Sequence, residues 1–492
     1  MAPAWFPASP LAWSPTSRLA SLFTTLALAR APIVAWLHSR LLQLRCLWVR
    51  LFLRAKATPP KFCIQSANHR RWLTPKLERH GWQAGDPADA VFLWHLTKKL
   101  NPQESVPVFN GLPNLLLLDD KAVLALLTRR FSRTRPLVTY VVYGEWDDAR
   151  VRALRERWAD PACDDPRWWI IKDAHASNGF SAALFDRSVR PFVKKDVAGG
   201  YCYVVQEYVE RPMLIDGRKF EMRQYVLMRG DGAAFTYDGA LIRLSCVPYD
   251  LDSRDPRVHI TNKYVQTGWE AQSSEGRTLD DIERVSHDWP MYSQLLTKEI
   301  LPLIADLVDS VAPMVAPGHH GGDKSGQQST SKKAAPINRS AHFELFACDL
   351  MVSASGRVHL MEVNINCAFG TFHPRTQSSL IDPMFEDLLS LCVLPAAGGV
   401  APSQGRWLPV RPAGFDKDTP SSSVALKELQ EHQMYVAFKK SSKKRYERQF
   451  ARKEFLLSDV DREETPTEQG KCTKCGYFAC VCGGRRTNHA RG

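Results

Sequence analysis

The sequence predicts a mixed α+β fold, and three observations carry that prediction. Short β-branched and aromatic runs bounded by turn residues recur through the middle of the chain, as strands do. Stretches with apolar residues at helical spacing lie between and after them. At 492 residues, 44% of them hydrophobic, the chain is long enough to bury a large core but too long for one ordinary domain.

Taken in order, residues 1–60 form a leader without an acidic residue; the first is Glu78. Arg18, Arg30, Arg40, Arg45, Arg50 and Arg54 recur there among apolar and hydroxyl residues. Such a segment suits an organellar transit peptide, a basic amphipathic helix on a membrane surface, or a plain extension, and the three stay open. Its Pro-free apolar stretch, 19–29, is too short to span a bilayer. A smaller N-terminal α/β domain is expected over 61–160. It holds a helix at 119–130 with Val123, Leu124, Leu126 and Leu127 as its apolar face, a strand at 136–143, and a charged helix at 147–158. From 161 to 397 the pattern predicts strands at 168–171, 203–206, 220–228, 234–244 and 357–365, covered by helices at 293–315 and 379–391. The stretch 318–340 is rich in Gly, His, Ser, Lys and Gln with no apolar period, so it reads as a flexible insert. A linker is expected over 398–423, and a basic helical tail with a cysteine cluster over 424–492.

The formal net charge of +13 favours an acidic partner: nucleic acid, an anionic membrane, a nucleotide or an acidic protein tail. Eight of the 12 cysteines are scattered singly, which suits buried thiols in a reducing compartment. The rest, Cys472, Cys475, Cys480 and Cys482, could hold a tetrahedral Zn²⁺; a Cys-rich end without metal is the plainer alternative. The run Lys439-Lys440-Ser441-Ser442-Lys443-Lys444-Arg445 could meet an acidic surface, or simply be a solvated helix face. It lacks the interleaved aromatics of a nucleic-acid groove, so a nucleic-acid adaptor fits least.

Three segments carry chemistry. On a strand over 219–223, Lys219, Glu221 and Arg223 share one face, while Phe220 and Met222 share the other. Two cations around a carboxylate suit an anionic, phosphate-bearing ligand; cross-strand ion pairs are the plainer reading. In the apolar runs 343–352 and 360–366, Glu344, Asp349, Glu362 and Asn364 are isolated polar residues. Carboxylates so placed need a partner charge or a cation, and hard oxygens suit Mg²⁺. Lys172 ends a strand before the small polar loop 174–179, where it could reach phosphates.

In this order and spacing the blocks resemble the tubulin–tyrosine ligase-like family of ATP-grasp enzymes. The resemblance runs over 106–374. It rests on Trp169-Ile170-Ile171-Lys172, the run 204–210, the run 217–226, His259-Ile260-Thr261-Asn262, Phe343-Glu344-Leu345-Phe346 with Asp349, and Glu362-Val363-Asn364. Phe109-Asn110-Gly111-Leu112-Pro113 followed by Lys121 matches an upstream segment. The resemblance implies an ATP-grasp fold, two α+β lobes enclosing a nucleotide. It assigns Lys172 and Lys219 to the ATP phosphates, Gln206, Glu207, Tyr208 and Val209 to the adenine hinge, and Asn262 to the phosphate region. Magnesium would fall to Asp349, Glu362 and Asn364. Arg223 and Arg243 would meet the γ-phosphate or an acidic substrate.

The implied activity is a carboxylate–amine ligase joining a free amino acid (tyrosine, glutamate or glycine) to tubulin or another glutamate-rich tail through an acyl phosphate. A cytoplasmic or cytoskeletal place follows, unless the leader directs an organelle. A non-tubulin acceptor, or a weakened protein that only binds ATP and microtubules, are the alternatives. Four departures stand out: Glu221 where the family has Asp, Asp173 where it prefers Pro, Asn178-Gly179-Phe180-Ser181 in place of its glycine-rich loop, and Asn366-Cys367-Ala368 without the usual Pro.

Overall fold

A computed structural model describes residues 58–95, 106–112, 115–143, 153, 156–163, 165–174, 182–186, 202–253, 255–267, 282–315, 341–365, 367–370, 372–398 and 400–414. The chain divides into two units, Met1–Pro59 and Pro60–Gly492, and every described strand and helix belongs to the second. The leader up to residue 57, the loop at 178–181, the insert at 318–340, the basic run and the cysteine cluster lie outside the described residues.

The strands are β1 (Lys61–Ile64), β2 (Gln83–Ala84), β3 (Phe92–Trp94), β4 (Val108–Asn110), β5 (Thr139–Tyr143), β6 (Trp168–Asp173), β7 (Ala183–Asp186), β8 (Cys202–Glu207), β9 (Leu214–Ile215), β10 (Arg218–Arg229), β11 (Ala234–Leu244), β12 (Glu283–Val285), β13 (His342–Val352), β14 (Val358–Asn364) and β15 (Trp407–Arg411). They build two sheets. The larger runs β12-β11-β10-β13-β4-β3-β1-β2, with β14 on β13, β15 on β11 and β9 on β10. It is antiparallel around β10 and parallel from β13 through β4 to β2. The smaller is antiparallel, in the order β5-β8-β6-β7.

Helices cover both faces of the large sheet. Helix α1 (Ala67–Arg79) and the helical run over 374–397 bury Trp72, Leu77, Phe385 and Leu388 against Tyr225, Leu227 and Phe343. Helix α2 (Lys121–Thr128) and α3 (Leu301–Val315) pack the opposite face, against Phe220, Met222, Val226 and Phe346. In α3 the buried positions Leu303, Ile304, Leu307, Val308 and Val311 recur at helical spacing, the apolar stripe a covering helix needs. Helix α2 starts where it does because the Asp120 carboxylate accepts from the Ala122 and Val123 amides. The small sheet has its own core of Val142, Trp158, Trp169, Phe185 and Val205.

This is the mixed α+β architecture expected, with two boundary corrections. The line at 160 does not separate one body from another: β5 belongs to the small sheet, and β1–β4 continue the large one through β4 against β13. The linker expected from 398 instead contributes β15, whose Trp407 is buried against Tyr237. One inward tryptophan outweighs a Pro- and Ser-rich surrounding. Cys202, Cys348, Cys367 and Cys392 are buried and Cys63, Cys163 and Cys246 partly exposed, none of the seven in a disulfide. Among the described residues no helix is long and apolar enough to cross a membrane.

Candidate active site

Strand register assembles the charged row. Glu221 lies opposite Arg243 across β10 and β11, Arg223 opposite Asp349 across β10 and β13, and Asp349 opposite Glu362 across β13 and β14. Directly paired residues point to the same face. A register shift between Asp349 and Leu350 leaves Met361 as an extra residue in β14. That bulge turns both Met361 and Glu362 away from the core to which Leu360 and Val363 belong.

The row faces the small sheet across a cleft. The small sheet contributes Ile170 and Lys172 from β6, and the crossing segment after β8 contributes Tyr208 and Val209. The large sheet contributes Lys219, Glu221, Asp349, Met351, Met361 and Glu362. The segment after β11 adds His259, Thr261 and Asn262, and α2 adds Lys121. The cleft thus joins an apolar part, where Val209, Met351 and Met361 pack together, to a highly charged one.

Each charge has a defined partner. The Arg223 guanidinium grips Asp349 with two bonds of 2.8 Å, and Arg243 Nη2 lies 2.8 Å from both Asp349 Oδ2 and Glu221 Oε1. Burial would raise the Asp349 carboxyl, but Arg223 and Arg243 prevail and hold it well below the usual carboxylate range. Glu221 goes the other way: burial raises it, with Asp349 adding to the rise against Arg243. Asn364 Nδ2 is 3.0 Å from Asp349 Oδ2 and 3.4 Å from Glu362 Oε1, and Lys121 Nζ is 3.7 Å from Glu362 Oε2.

Two lysines share the cleft, Lys172 on the small sheet opposite the row and Lys219 beside the row on β10. Lys172 Nζ donates to Gln206 Oε1 at 3.0 Å, and burial lowers its pKa to about 8, with Lys121 pushing the same way. Lys219 is fully buried, donates to Tyr208 Oη at 2.7 Å and to the His259 carbonyl at 3.0 Å, and burial lowers its pKa to about 7. Tyr208 Oη in turn lies 2.9 Å from His259 Nδ1, whose other nitrogen is 2.8 Å from the Ser253 carbonyl. A carbonyl only accepts, so Nε2 carries the proton, Nδ1 accepts from Tyr208, and the phenol oxygen is left to accept from Lys219. Burial keeps this imidazole neutral by lowering its pKa to about 4. Burial disfavours the charged form of both lysines, so an anionic ligand beside them would restore their charge.

The chemistry of the donor set bears on Mg²⁺. Among the described residues no group of three or more His, Cys, Asp or Glu is placed to hold a metal. Asp349, Glu362 and Asn364 offer two adjacent carboxylates and an amide; rotating that amide turns its oxygen toward them. Few protein oxygens completed by phosphate oxygens is the set Mg²⁺ takes in nucleotide sites, so the residues fit.

Of the residues singled out from sequence, Lys172, Tyr208, Val209, Lys219, Asn262, Asp349 and Glu362 come together in the cleft. Arg223, Arg243 and Asn364 flank it through Asp349, and Gln206 lies beside it through Lys172. Glu207 lies away from it: its carboxylate accepts from the Val138 amide. Glu344 is buried and accepts from the Leu112 amide. Sequence reasoning gave no role to Lys121, His259, Thr261, Met351 or Met361. The bulge at Met361 has no sequence signature, and Lys121 reaches Glu362 only through the fold.

The family model for the tubulin-tyrosine ligase family matches residues 102–398. A mouse tubulin polyglutamylase is 25% identical over 243 residues, 46% of this chain and 17% of that protein. A probable tubulin–tyrosine ligase of Saccharomyces cerevisiae is 28% identical over 207 residues, 39% of this chain and 24% of that protein. A tubulin glycylase of Drosophila melanogaster is 24% identical over 219 residues, 44% of this chain and 21% of that protein. The chain spans about a quarter or less of the length of these relatives. The matched segment contains every residue of the cleft and more than half of the sequence, and the chain belongs to the tubulin-tyrosine ligase family.

Proposed function

We propose that the chain is an ATP- and magnesium-dependent ligase that joins an amino acid to a carboxylate of a glutamate-rich protein tail, with tubulin as the first acceptor to test. One observation carries the reading: two lysines drawn toward neutrality, one from each sheet, share a single cleft with two adjacent carboxylates and a neighbouring amide. Family membership and three tubulin-modifying relatives support the acceptor class. Those relatives are named for glutamate, tyrosine and glycine transfer, so all three amino acids are candidate donors.

In this mechanism Met351, Met361 and Val209 receive the base, and Lys172 and Lys219 hold phosphate oxygens. Bound Mg²⁺, held by Asp349, Glu362 and Asn364, would neutralise charge on the phosphates. Arg223 and Arg243 orient the acceptor. An acceptor carboxylate oxygen attacks the terminal phosphorus, the bond to ADP breaks, and an acyl phosphate forms. The donor's neutral amine then attacks the carbonyl carbon, phosphate leaves, and the surplus amine proton passes to the departing phosphate. The chain's contribution is positioning and charge stabilisation in a water-poor cleft.

The test incubates the full chain with ATP, Mg²⁺, tubulin and each labelled amino acid, with Glu362→Gln alongside. The expected result is incorporation of one amino acid, lowered about 10²-fold or more in the variant, the scale for losing one preorganised charge partner. Incorporation only into another protein keeps the chemistry and replaces the acceptor. Nucleotide binding without incorporation into any protein overturns the ligase reading in favour of a binding protein.

A further inference from the structure

A lysine as buried as Lys219 has two states open to it: an amine, which donates and accepts, or an ammonium, which only donates. Its surroundings offer lone pairs. Tyr208 Oη stands 2.7 Å from Nζ and the His259 carbonyl 3.0 Å, and Nζ lies 4.2 Å from the centre of the Tyr208 ring. Two acceptors fix the rotation of a three-proton head, and Lys219 lines the cleft, so one proton is left for a ligand there. A phenol can donate or accept, and what makes this one accept lies one residue further out. The Ser253 carbonyl takes the His259 Nε2 proton at 2.8 Å, so Nδ1 is a bare acceptor and takes the Tyr208 proton at 2.9 Å. Tyr249 also interacts with Tyr208, but its own proton goes to the Glu210 carbonyl at 2.7 Å. The Ser253 end thus sets the direction of every bond up to Lys219.

We propose that the side chains of Tyr208 and His259 are positioning residues for nucleotide binding: the chain from the Ser253 carbonyl through His259 and Tyr208 holds Lys219 as an oriented donor toward the phosphates. This rests on the assignment of Lys219 to the phosphates and adds two side chains that act through it. The neighbours of Lys219 show what the chain works against. Burial lowers the lysine to about 7; Glu221 on the same strand opposes the fall, and Lys172 from the small sheet adds to it. Acceptors aimed at Nζ favour the ammonium and so offset part of that burial. The two intermediate groups keep the states the chain needs. Burial holds the imidazole neutral with help from Lys219, against the Ser253 carbonyl, Asp250 and Asp255. Burial also keeps the Tyr208 phenol protonated, and Tyr249 and Glu210 act in the same sense. The same bonds tie the segment after β8 to the segment after β11, so a purely structural tie is the competing account. It differs in one respect: a structural tie does not follow the charge of Lys219.

The experiment measures the affinity of the full chain for a non-hydrolysed ATP analogue at pH 6, 7 and 8 by calorimetry. Tyr208→Phe keeps the ring beside the lysine head and removes only the oxygen. Losing one acceptor should lower Lys219 by about one further pK unit, so affinity should fall about tenfold at pH 8 and only about twofold at pH 6. His259→Leu lets the Tyr208 proton turn toward the amine and should give the same pattern. His259→Asn, whose side-chain oxygen stands near the place of Nδ1, should keep most of the wild-type affinity at pH 8. A loss in Tyr208→Phe that is equal at pH 6 and pH 8, or no loss, overturns the proposal. So does His259→Asn binding as weakly as His259→Leu. If His259→Leu does not fold, the pH pattern of Tyr208→Phe decides alone. Lys219→Met, run alongside, separates the possible failures. A pH dependence unchanged in Lys219→Met removes the assignment of Lys219 to the phosphates; one that flattens there, while Tyr208→Phe follows the wild type, removes only the positioning chain. A failure of the ligase reading would abolish amino acid incorporation and leave each of these binding readouts in place.

Discussion

Nucleotide binding should take up protons, in an amount set by two lysines. In the ligand-free chain burial lowers Lys219 to about 7 and Lys172 to about 8. At pH 8 Lys219 is then about nine-tenths neutral and Lys172 about half neutral, whereas phosphates beside them would return both toward the ordinary ~10.4. Binding should therefore capture about one and a half protons at pH 8, about half a proton at pH 7, and close to none at pH 6. The same linkage makes affinity fall with rising pH, by about tenfold between pH 7 and 8. Stability of the ligand-free chain moves oppositely. Because the folded lysines bind fewer protons than unfolded ones between about 7 and 10.4, stability should rise with pH across that window. Calorimetric titration of a non-hydrolysed ATP analogue at pH 8, in buffers of different ionisation enthalpy, counts the protons. Lys219→Met should remove the larger share and leave about half a proton. Nucleotide binding at pH 8 with no proton uptake, or binding tighter at pH 8 than at pH 7, would refute the assignment of these lysines to the phosphates.

Further predictions concern the frame. Asp349→Asn leaves Arg223 and Arg243 without their buried counter-charge, and should cost about 3–5 kcal/mol in denaturant unfolding. Burial raises the Asp349 carboxyl and the two arginines lower it further, so its stabilisation is present above about pH 4 and lost as pH falls below. Asp306 accepts from the amides of Ser132, Arg133 and Thr134 and from the Thr134 hydroxyl. Asp306→Ala strands these donors and should cost about 2–3 kcal/mol, with faster hydrogen exchange at 132–134. Trp407 is 1% exposed with its ring 4.9 Å from Tyr237. Trp407→Ala should cost about 3–5 kcal/mol; a cost near zero would return residues 400–414 to the status of a linker.

Much of the fold was legible because the local signals were strong. The helix expected at 119–130 is α2 within its Asp120 cap, and the strand expected at 234–244 is β11 to the residue. Alternation in β10 gave Lys219, Glu221 and Arg223 their common face, since the first half of the strand borders a cleft. The second half is buried on both sides, so Tyr225 and Leu227 sit in one core while Val226 and Met228 sit in the other. What escaped the sequence was whatever depends on long-range pairing. The parallel ladder from β4 to β13 joins residues more than 230 positions apart and merges two expected domains.

The partners of Asp349 bear on how such a site is kept ready. The guanidiniums and carboxylates of this cleft would each be expensive to bury alone. Here they bury one another: Arg223 and Arg243 converge on Asp349, and Arg243 also meets Glu221. On the ligase reading, incoming anions would offer the arginines new acceptors at the same step in which Mg²⁺ offers Asp349 a new charge. The exchange keeps charge balanced throughout, so little net desolvation is added on binding. Glu221 is the residue that makes this adjustable. Burial raises its carboxyl, and its longer arm spans from Arg243 to the Thr261 hydroxyl. Glu221→Asp would shorten that reach and loosen Arg243. If charge balance governs readiness, the variant should bind nucleotide more weakly and keep its folding stability. If the pair is only structural, stability should fall and nucleotide affinity should hold.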